Sequence, residues 1–156
     1  MVLVTLGTQN KPFSRLLEMV EQQIALGALT GRVVAQTGHT PWASQHMEVV
    51  PFVSATEMSR LLADARLVIS HGGAGTLIAA VAAGKIVIAV PRLAAHGEHV
   101  NDHQRELVAH FAAAGYLIDG SDGDLASSLV RATTFEPARY DASGGGVVRA
   151  IAEFIG

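Results

Sequence analysis

The residues best placed for chemistry lie in SHGGAGTLIAAVAAGK, Ser70 to Lys85, where a histidine precedes three glycines within four positions. An apolar run leads into them and an alanine-rich run follows, which reads as strand, glycine loop and helix. Glycines let backbone amides approach a ligand closely. The free N–H groups and positive dipole end of the following helix then favour an anion. Thr76 adds a hydroxyl, and His71 an imidazole donor, at the same mouth. Spacing excludes two standard nucleotide loops. A Walker A loop needs Gly-Lys-Ser/Thr, but Ile86 follows Gly84-Lys85, and a dinucleotide fingerprint needs a glycine where Ile78 stands. The plainer alternative is that these glycines serve only a tight turn and close helix–sheet packing.

A second polar group follows in PRLAAHGEHVNDHQ, Pro91 to Gln104. Carboxylates (Glu98, Asp102) beside amides (Asn101, Gln104) suit recognition of hydroxyl groups, as on a sugar. The plainer reading is a solvated loop with a helix cap at Asn101 or Asp102. His99 and His103 are four apart and would share a helix face, but no H-E-x-x-H arrangement supports a metal site. Asp122-Gly123-Asp124 sits where a helix N-cap is expected and reads as capping. There is no G-x-S-x-G elbow and no cysteine, so a hydrolase triad is unsupported.

The elements that must position these groups alternate along the chain. Apolar runs at Val2–Leu6, Arg32–Thr37, Met47–Phe52, Leu67–Ser70, Ile86–Val90 and Tyr116–Ile118 read as strands. Helices are predicted from Phe13 to near Gly27, after the capping box Ser54–Glu57, over Ala74–Ala83, Asn101–Ala114 and Asp124–Ala132. The inward faces carry Leu16, Leu17 and Val20, then Met58, Leu61, Leu62 and Ala65, then Leu107, Val108 and Phe111. A Gly-rich stretch at Ser143–Gly146 precedes an amphipathic segment with Val147, Val148, Ile151, Phe154 and Ile155. Strands apolar throughout, alternating with helices, imply an α/β fold: a single Rossmann-like domain with a parallel sheet covered on both faces. Ligands of such folds sit at the carboxyl ends of the strands. Both polar constellations follow a strand and so reach that edge.

The 156 residues are enough for one domain with a real core. With 49% hydrophobic and 16% charged residues the chain reads as globular, and a net charge of −3 gives no reason to expect nucleic acid. The absence of cysteine removes disulfides and thiolate metal sites. MVLVTLGTQN lacks the basic start and long apolar core of a signal peptide, and no apolar run is long enough to span a bilayer.

The run PFVSATEMSRLLADARLVISHGGAGTLIAAVAAGKIVIAVPR…GEHVNDHQRELVAHFAAAGYLI resembles the C-terminal, donor-binding domain of family 28 glycosyltransferases of the GT-B fold. It is most similar to the short, split members. These are the catalytic subunit of the eukaryotic two-subunit UDP-GlcNAc transferase and bacterial exopolysaccharide transferase subunits of the PssE/EpsF type. The likeness extends from VTLGTQNKPFSRLL to about Ile118. It implies that His71, Gly72, Gly73, Gly75 and Thr76 cradle the UDP diphosphate, with His71 acting catalytically on the departing charge. By the same likeness Phe52 and Val53 meet the uracil, and Gly7 and Thr8 lie on the cleft floor toward the acceptor. Asn101, Asp102 and Gln104 contact the donor sugar, with Glu98 and His99 flanking.

Many relatives carry a ribose-binding glutamate where this chain has Ala79, so the ribose contact differs here. A GT-B enzyme needs two Rossmann-like domains, and this chain (residues 1–156) supplies the equivalent of the C-terminal one. The resemblance therefore implies a membrane-associated, acceptor-binding partner and a lipid-linked glycan acceptor. It places the chain in the cytoplasm, peripheral to the inner face of the membrane, with a UDP-sugar as donor and no cofactor or metal. Residues 143–156 and Trp42 are candidate partner contacts; packing on the home sheet, or simple partial burial, is the alternative. A non-catalytic nucleotide-sugar-binding module shares most of these features. An epimerase does not, because Tyr116 and Tyr140 are followed four residues on by Gly120 and Gly144 rather than lysine.

Overall fold

A computed structural model describes residues 1–141. The amphipathic segment expected at 147–155 lies outside the described residues. Six parallel strands, β1 (Val2–Thr5), β2 (Val33–Gln36), β3 (Glu48–Val50), β4 (Leu67–Ser70), β5 (Ile86–Ala89) and β6 (Ile118–Asp119), form one sheet. Five helices connect them: α1 (Ser14–Ala25), α2 (Ala55–Asp64), α3 (Ala74–Ala82), α4 (His103–Ala113) and α5 (Leu125–Ala132). The strand order is β3-β2-β1-β4-β5-β6, so the direction of winding reverses between β1 and β4. β1 pairs with both central neighbours in one register, Thr5 lying beside Gln36 on one side and Ser70 on the other. The loops that leave β1 and β4 therefore open side by side at the switch point, where doubly wound folds bind ligands.

Both faces of the sheet are covered, as the uniformly apolar strands require. Val2, Val4, Ile69 and Ile88 pack under α1 and α5 with Leu16, Leu17, Val20 and Leu129. Leu3, Val68 and Val87 pack under the other three helices with Leu61, Leu62, Leu77, Val108 and Phe111. Each such fully buried aliphatic side chain contributes roughly 1.5–3 kcal/mol of transfer free energy. The ends of α2 and α5 are sealed as the sequence suggested. Ser54 Oγ accepts the Glu57 N–H at 3.1 Å, and Asp124 Oδ1 accepts the Ser127 N–H at 3.0 Å.

Most boundaries fall within a residue of expectation, and three differences bear on the site's edge. β6 begins at Ile118 rather than Tyr116, because the Tyr116 N–H is still tied to the Phe111 carbonyl as α4 ends. β3 shrinks to Glu48–Val50 at the sheet edge, with Phe52 outside it. α4 starts at His103, and the segment before it folds separately around a 3-10 turn at Ala94–His96.

That segment is strapped to the loop after β1 by Arg92, a side chain with no solvent exposure. Its Nη1 donates to the Lys11 carbonyl at 2.6 Å and the Glu98 carbonyl at 3.2 Å, and its Nη2 to the Leu6 carbonyl at 2.8 Å. The guanidinium also lies 5.0 Å from the Phe13 ring centroid. Arg92→Met keeps the volume but leaves three carbonyls without their donor. We expect a loss of about 2–4 kcal/mol in urea unfolding, since stranding buried polar groups is costly.

Candidate functional site

At the switch point the loops close around the ring of His71, which directly follows β4 and is 7% exposed. The Gly73 N–H donates to His71 Nδ1 at 3.0 Å, so the ring's proton sits on Nε2. That Nε2 is buried and has no hydrogen-bond partner. It is directed at the loop after β1: a Cβ on Gly7 would fall 2.5 Å from it. A Cβ on Gly73 would come within 2.1 Å of His71 Cε1 and one on Gly72 within 2.7 Å of Gln104 Cβ. Neither Gly72 nor Gly73 has a positive φ. These two glycines are thus required by close approach of side chains, not by a strained turn. Gly75 meets nothing within 4 Å and stays exposed in the first turn of α3, beside the half-buried Thr76.

α3 begins without a side-chain cap, because Gly73 occupies the N-cap position. The amides of Ala74, Gly75 and Thr76 have no carbonyl one turn earlier to receive them. The helix dipole behind them favours negative charge there, and the one uncharged N–H of His71, on Nε2, faces the loop after β1. Burial holds His71 well below the ordinary histidine range, at about 4, and the Arg92 guanidinium pushes it the same way. The ring is therefore neutral at physiological pH and offers a hydrogen bond rather than a charge.

Two side-chain amides hold the surrounding loops. Gln104 Oε1 accepts from the Gly72 N–H at 3.2 Å and the Arg92 N–H at 3.1 Å, joining the loops after β4 and β5. On the other side Gln36, at the end of β2, is 3% exposed. Its Oε1 accepts from Thr5 Oγ1 at 2.7 Å and the Gly7 N–H at 3.2 Å. Its Nε2 donates to the Gly7 carbonyl at 3.0 Å and the Pro51 carbonyl at 2.9 Å. Sequence reading missed Gln36, Arg92 and Arg15; the one local signal was a glutamine and an arginine at strand ends that are otherwise apolar.

The polar loop is more self-contained than its composition implied. Glu98 is 4% exposed, and its carboxylate takes Arg15 Nε at 3.1 Å and Nη2 at 3.0 Å and the Leu93 N–H at 3.1 Å. It is tied up in a part-buried ion pair, the Arg15 side chain being 24% exposed. Asp102 Oδ1 accepts from the Ala94 N–H at 2.9 Å, and Asn101 Oδ1 accepts from the His103 N–H at 3.0 Å in a turn that leads into α4. His99 Nδ1 accepts from the Asn101 N–H at 3.3 Å, which leaves its Nε2 as the donor. Its pKa is lowered, chiefly by burial and then by Arg92. Among the described residues no three His, Asp or Glu side chains gather as a metal set.

Phe52 is 51% exposed and meets His39 edge to face with centroids 5.0 Å apart, while Val53 packs against the second core cluster. Thr8 is exposed beyond Gly7, and Ala79 is exposed on α3. Trp42 is half-buried against the first core cluster, its Nε1 3.4 Å from Glu21 Oε1.

The chain is a doubly wound parallel sheet with an uncapped helix start at its switch point, and comparisons narrow the class. The profile of the glycosyltransferase family 28 C-terminal domain matches residues 1–143. The chain belongs to that family. No curated protein sequence matches it. Among solved structures, ALG13 in solution superposes with a TM-score of 0.61 at 19% identity over 97% of this chain and 94% of that one. The glycosyltransferase SnogD from Streptomyces nogalater gives 0.55 at 21% identity over 98% of this chain. CalG4, the calicheamicin glycosyltransferase, gives 0.57 at 18% identity over 98% of this chain. These likenesses establish the fold, that of the C-terminal, Rossmann-like half of GT-B glycosyltransferases. The chain spans 37% of the length of SnogD and of CalG4.

The depressed pKa of His71 has a measurable consequence. The unfolded chain takes up a proton near pH 6.5, which the folded chain refuses until about pH 4. The unfolded state therefore binds more protons across that window, and stability falls as pH drops through it, by up to roughly 3 kcal/mol. Urea unfolding between pH 7 and pH 4 should show this loss in the wild type and a flatter profile in His71→Gln.

Proposed function

We propose that this chain is the donor-binding, catalytic subunit of a two-component glycosyltransferase. It takes a UDP-sugar and, with a membrane-associated acceptor-binding partner, transfers a hexosyl or glycuronosyl group to a lipid-linked acceptor in exopolysaccharide or related glycan synthesis. The observation that carries the donor site is His71 Nε2, an N–H donor that is buried and unpartnered beside the uncapped start of α3. Buried donors are nearly always satisfied, so an unmet one at a ligand edge speaks for a missing acceptor. A diphosphate supplies such an acceptor, together with the charge the helix end favours. Family membership supports the glycosyl donor. The split-type sequence resemblance, with the near-coextensive match to ALG13, supports the separate partner.

In this reading the diphosphate lies across Gly73, Gly75 and Thr76, the uracil rests near Phe52 and Val53, and the sugar extends toward His99, Asn101, Asp102 and Gln104. Gly7 and Thr8 floor the crevice on the acceptor side. The acceptor hydroxyl oxygen bonds to the sugar C1 as the bond from C1 to the diphosphate oxygen breaks. UDP leaves with the electron pair, and the hydroxyl proton passes to a base on the acceptor half. The charge developing on UDP is stabilised by the α3 amides and by the His71 N–H. Since His71 is neutral, its contribution is a fixed dipole that needs no proton transfer. With Ala79 on α3 the ribose finds its contact elsewhere, or none. A docking site through the partner would keep the chain at the inner membrane face; among the described residues no helix is long and apolar enough to cross a membrane.

Calorimetric titration of the chain with UDP and a panel of UDP-sugars, with and without EDTA, tests the donor reading: UDP binds and EDTA changes nothing. No binding by any of them removes it. In the reconstituted pair His71→Ala should lower turnover by roughly 10²–10³-fold, as for loss of one preorganised donor, with the circular dichroism spectrum retained. Binding without turnover in any pairing would instead favour a regulatory module.

A further inference from the structure

We infer that Gln36 is a positioning residue that locks the nucleobase end and the diphosphate end of the donor site into one unit; the inference rests on the donor reading above. Gln36 is not near enough to the crevice by sequence to attract notice, and at 3% exposure it is buried in the interior. Its amide nevertheless uses both lone pairs and both hydrogens. It holds the Gly7 peptide on its N–H and on its carbonyl, at 3.2 and 3.0 Å, and the Pro51 carbonyl at 2.9 Å. Gly7 is the residue against which His71 Nε2 rests, and Pro51 directly precedes Phe52.

The position of Gly7 decides where the His71 ring can lie. A Cβ there would fall 2.5 Å from Nε2, so the two are already in close contact. Gly7 itself has a φ of +75°, and a Cβ on Gly38 would come within 2.4 Å of the Gly7 carbonyl. The loop is thus hemmed in by Gly38 below and His71 beside it, with Gln36 fixing its orientation from the interior. A peptide that rotated would shift the ring and reaim the donor N–H. The same side chain sets the exit of the chain toward Phe52. No other single side chain among the hydrogen bonds of the described residues joins the loops that follow β1 and β3.

Gln36→Glu is nearly isosteric and isolates this role. One carboxylate oxygen keeps the bonds from Thr5 Oγ1 and the Gly7 N–H, while the other is set against the Gly7 and Pro51 carbonyl oxygens. Thr5→Val, which removes only the interior hydroxyl, is the structural control. In titrations with UDP, Gln36→Glu should bind at least tenfold more weakly than the wild type, and Thr5→Val within about twofold of it. The imidazole ¹⁵N resonances of His71, recorded without ligand, should move in Gln36→Glu and stay in Thr5→Val. Wild-type UDP affinity and unmoved His71 resonances in a folded Gln36→Glu would overturn the positioning role. Failure of the wild type to bind UDP would instead defeat the donor reading, and the ligand-free resonances still judge the Gln36–Gly7–His71 link. Should Gln36→Glu not fold, the wild type serves: the Gln36 side-chain NH₂ resonances shift on UDP titration if the role is correct. A static signal beside shifting Gly75 and Thr76 amides would refute it.

Discussion

The imidazole of His71 stands between two glycines, with Gly73 donating its N–H to Nδ1 and Gly7 lying against Nε2. Much of the carboxyl edge is arranged to permit this placement. Neither glycine can carry a Cβ without collision, and Gly72 is barred from one by Gln104. The hydrogen bond from Gly73 settles the tautomer, and burial with Arg92 nearby keeps the ring neutral. The outcome is an N–H dipole of fixed direction, held by one glycine at the start of α3 and another in the loop after β1. Such preorganisation is effective because no group has to reorient when charge develops.

Keeping loops in register at a sheet edge is an entropic problem, since each ordered residue costs on the order of 1–2 kcal/mol. Here three side chains, two of them fully interior and Gln104 half-buried, meet it through hydrogen bonds between loops. Gln36 joins the loops after β1 and β3, Gln104 those after β4 and β5, and Arg92 those after β5 and β1. The Arg15–Glu98 pair adds a fourth tie from α1 to the polar loop. The first three end mostly on backbone carbonyls or amides, which fixes the path of the chain; the Gly72 N–H is spent on Gln104 and the Gly73 N–H on His71, while those of Ala74 to Thr76 stay outside these ties. Polar side chains in the interior thus serve geometry more than net stability, because much of what they gain offsets their desolvation.

The architecture was legible because each strand is a short apolar run and each helix carries its inward residues at helical spacing. Ser54 and Asp124 announced their caps, and the His71–Thr76 loop announced its place after a strand. What composition left out was how the loop from Pro91 to Gln104 is tied internally. Its density of acceptors looked like a surface awaiting hydroxyl groups, yet Glu98, Asp102 and Asn101 spend oxygens on Arg15, Ala94 and His103. Nothing local could reveal this for Glu98, whose partner is 83 residues away. Gln36 and Arg92 escaped for the same reason: their partners lie across the sheet edge, and only the strand order brings them together. Local spacing reports helices, strands and caps; it is blind to ties closed by topology.

The central claim is that the His71 N–H and the start of α3 together receive the diphosphate of a nucleotide-sugar. A crystal structure of the chain soaked with UDP tests it most directly. The account predicts a diphosphate oxygen within hydrogen-bond distance of His71 Nε2, and others on the Gly75 and Thr76 amides. UDP bound elsewhere, with His71 Nε2 still unpartnered, would contradict it.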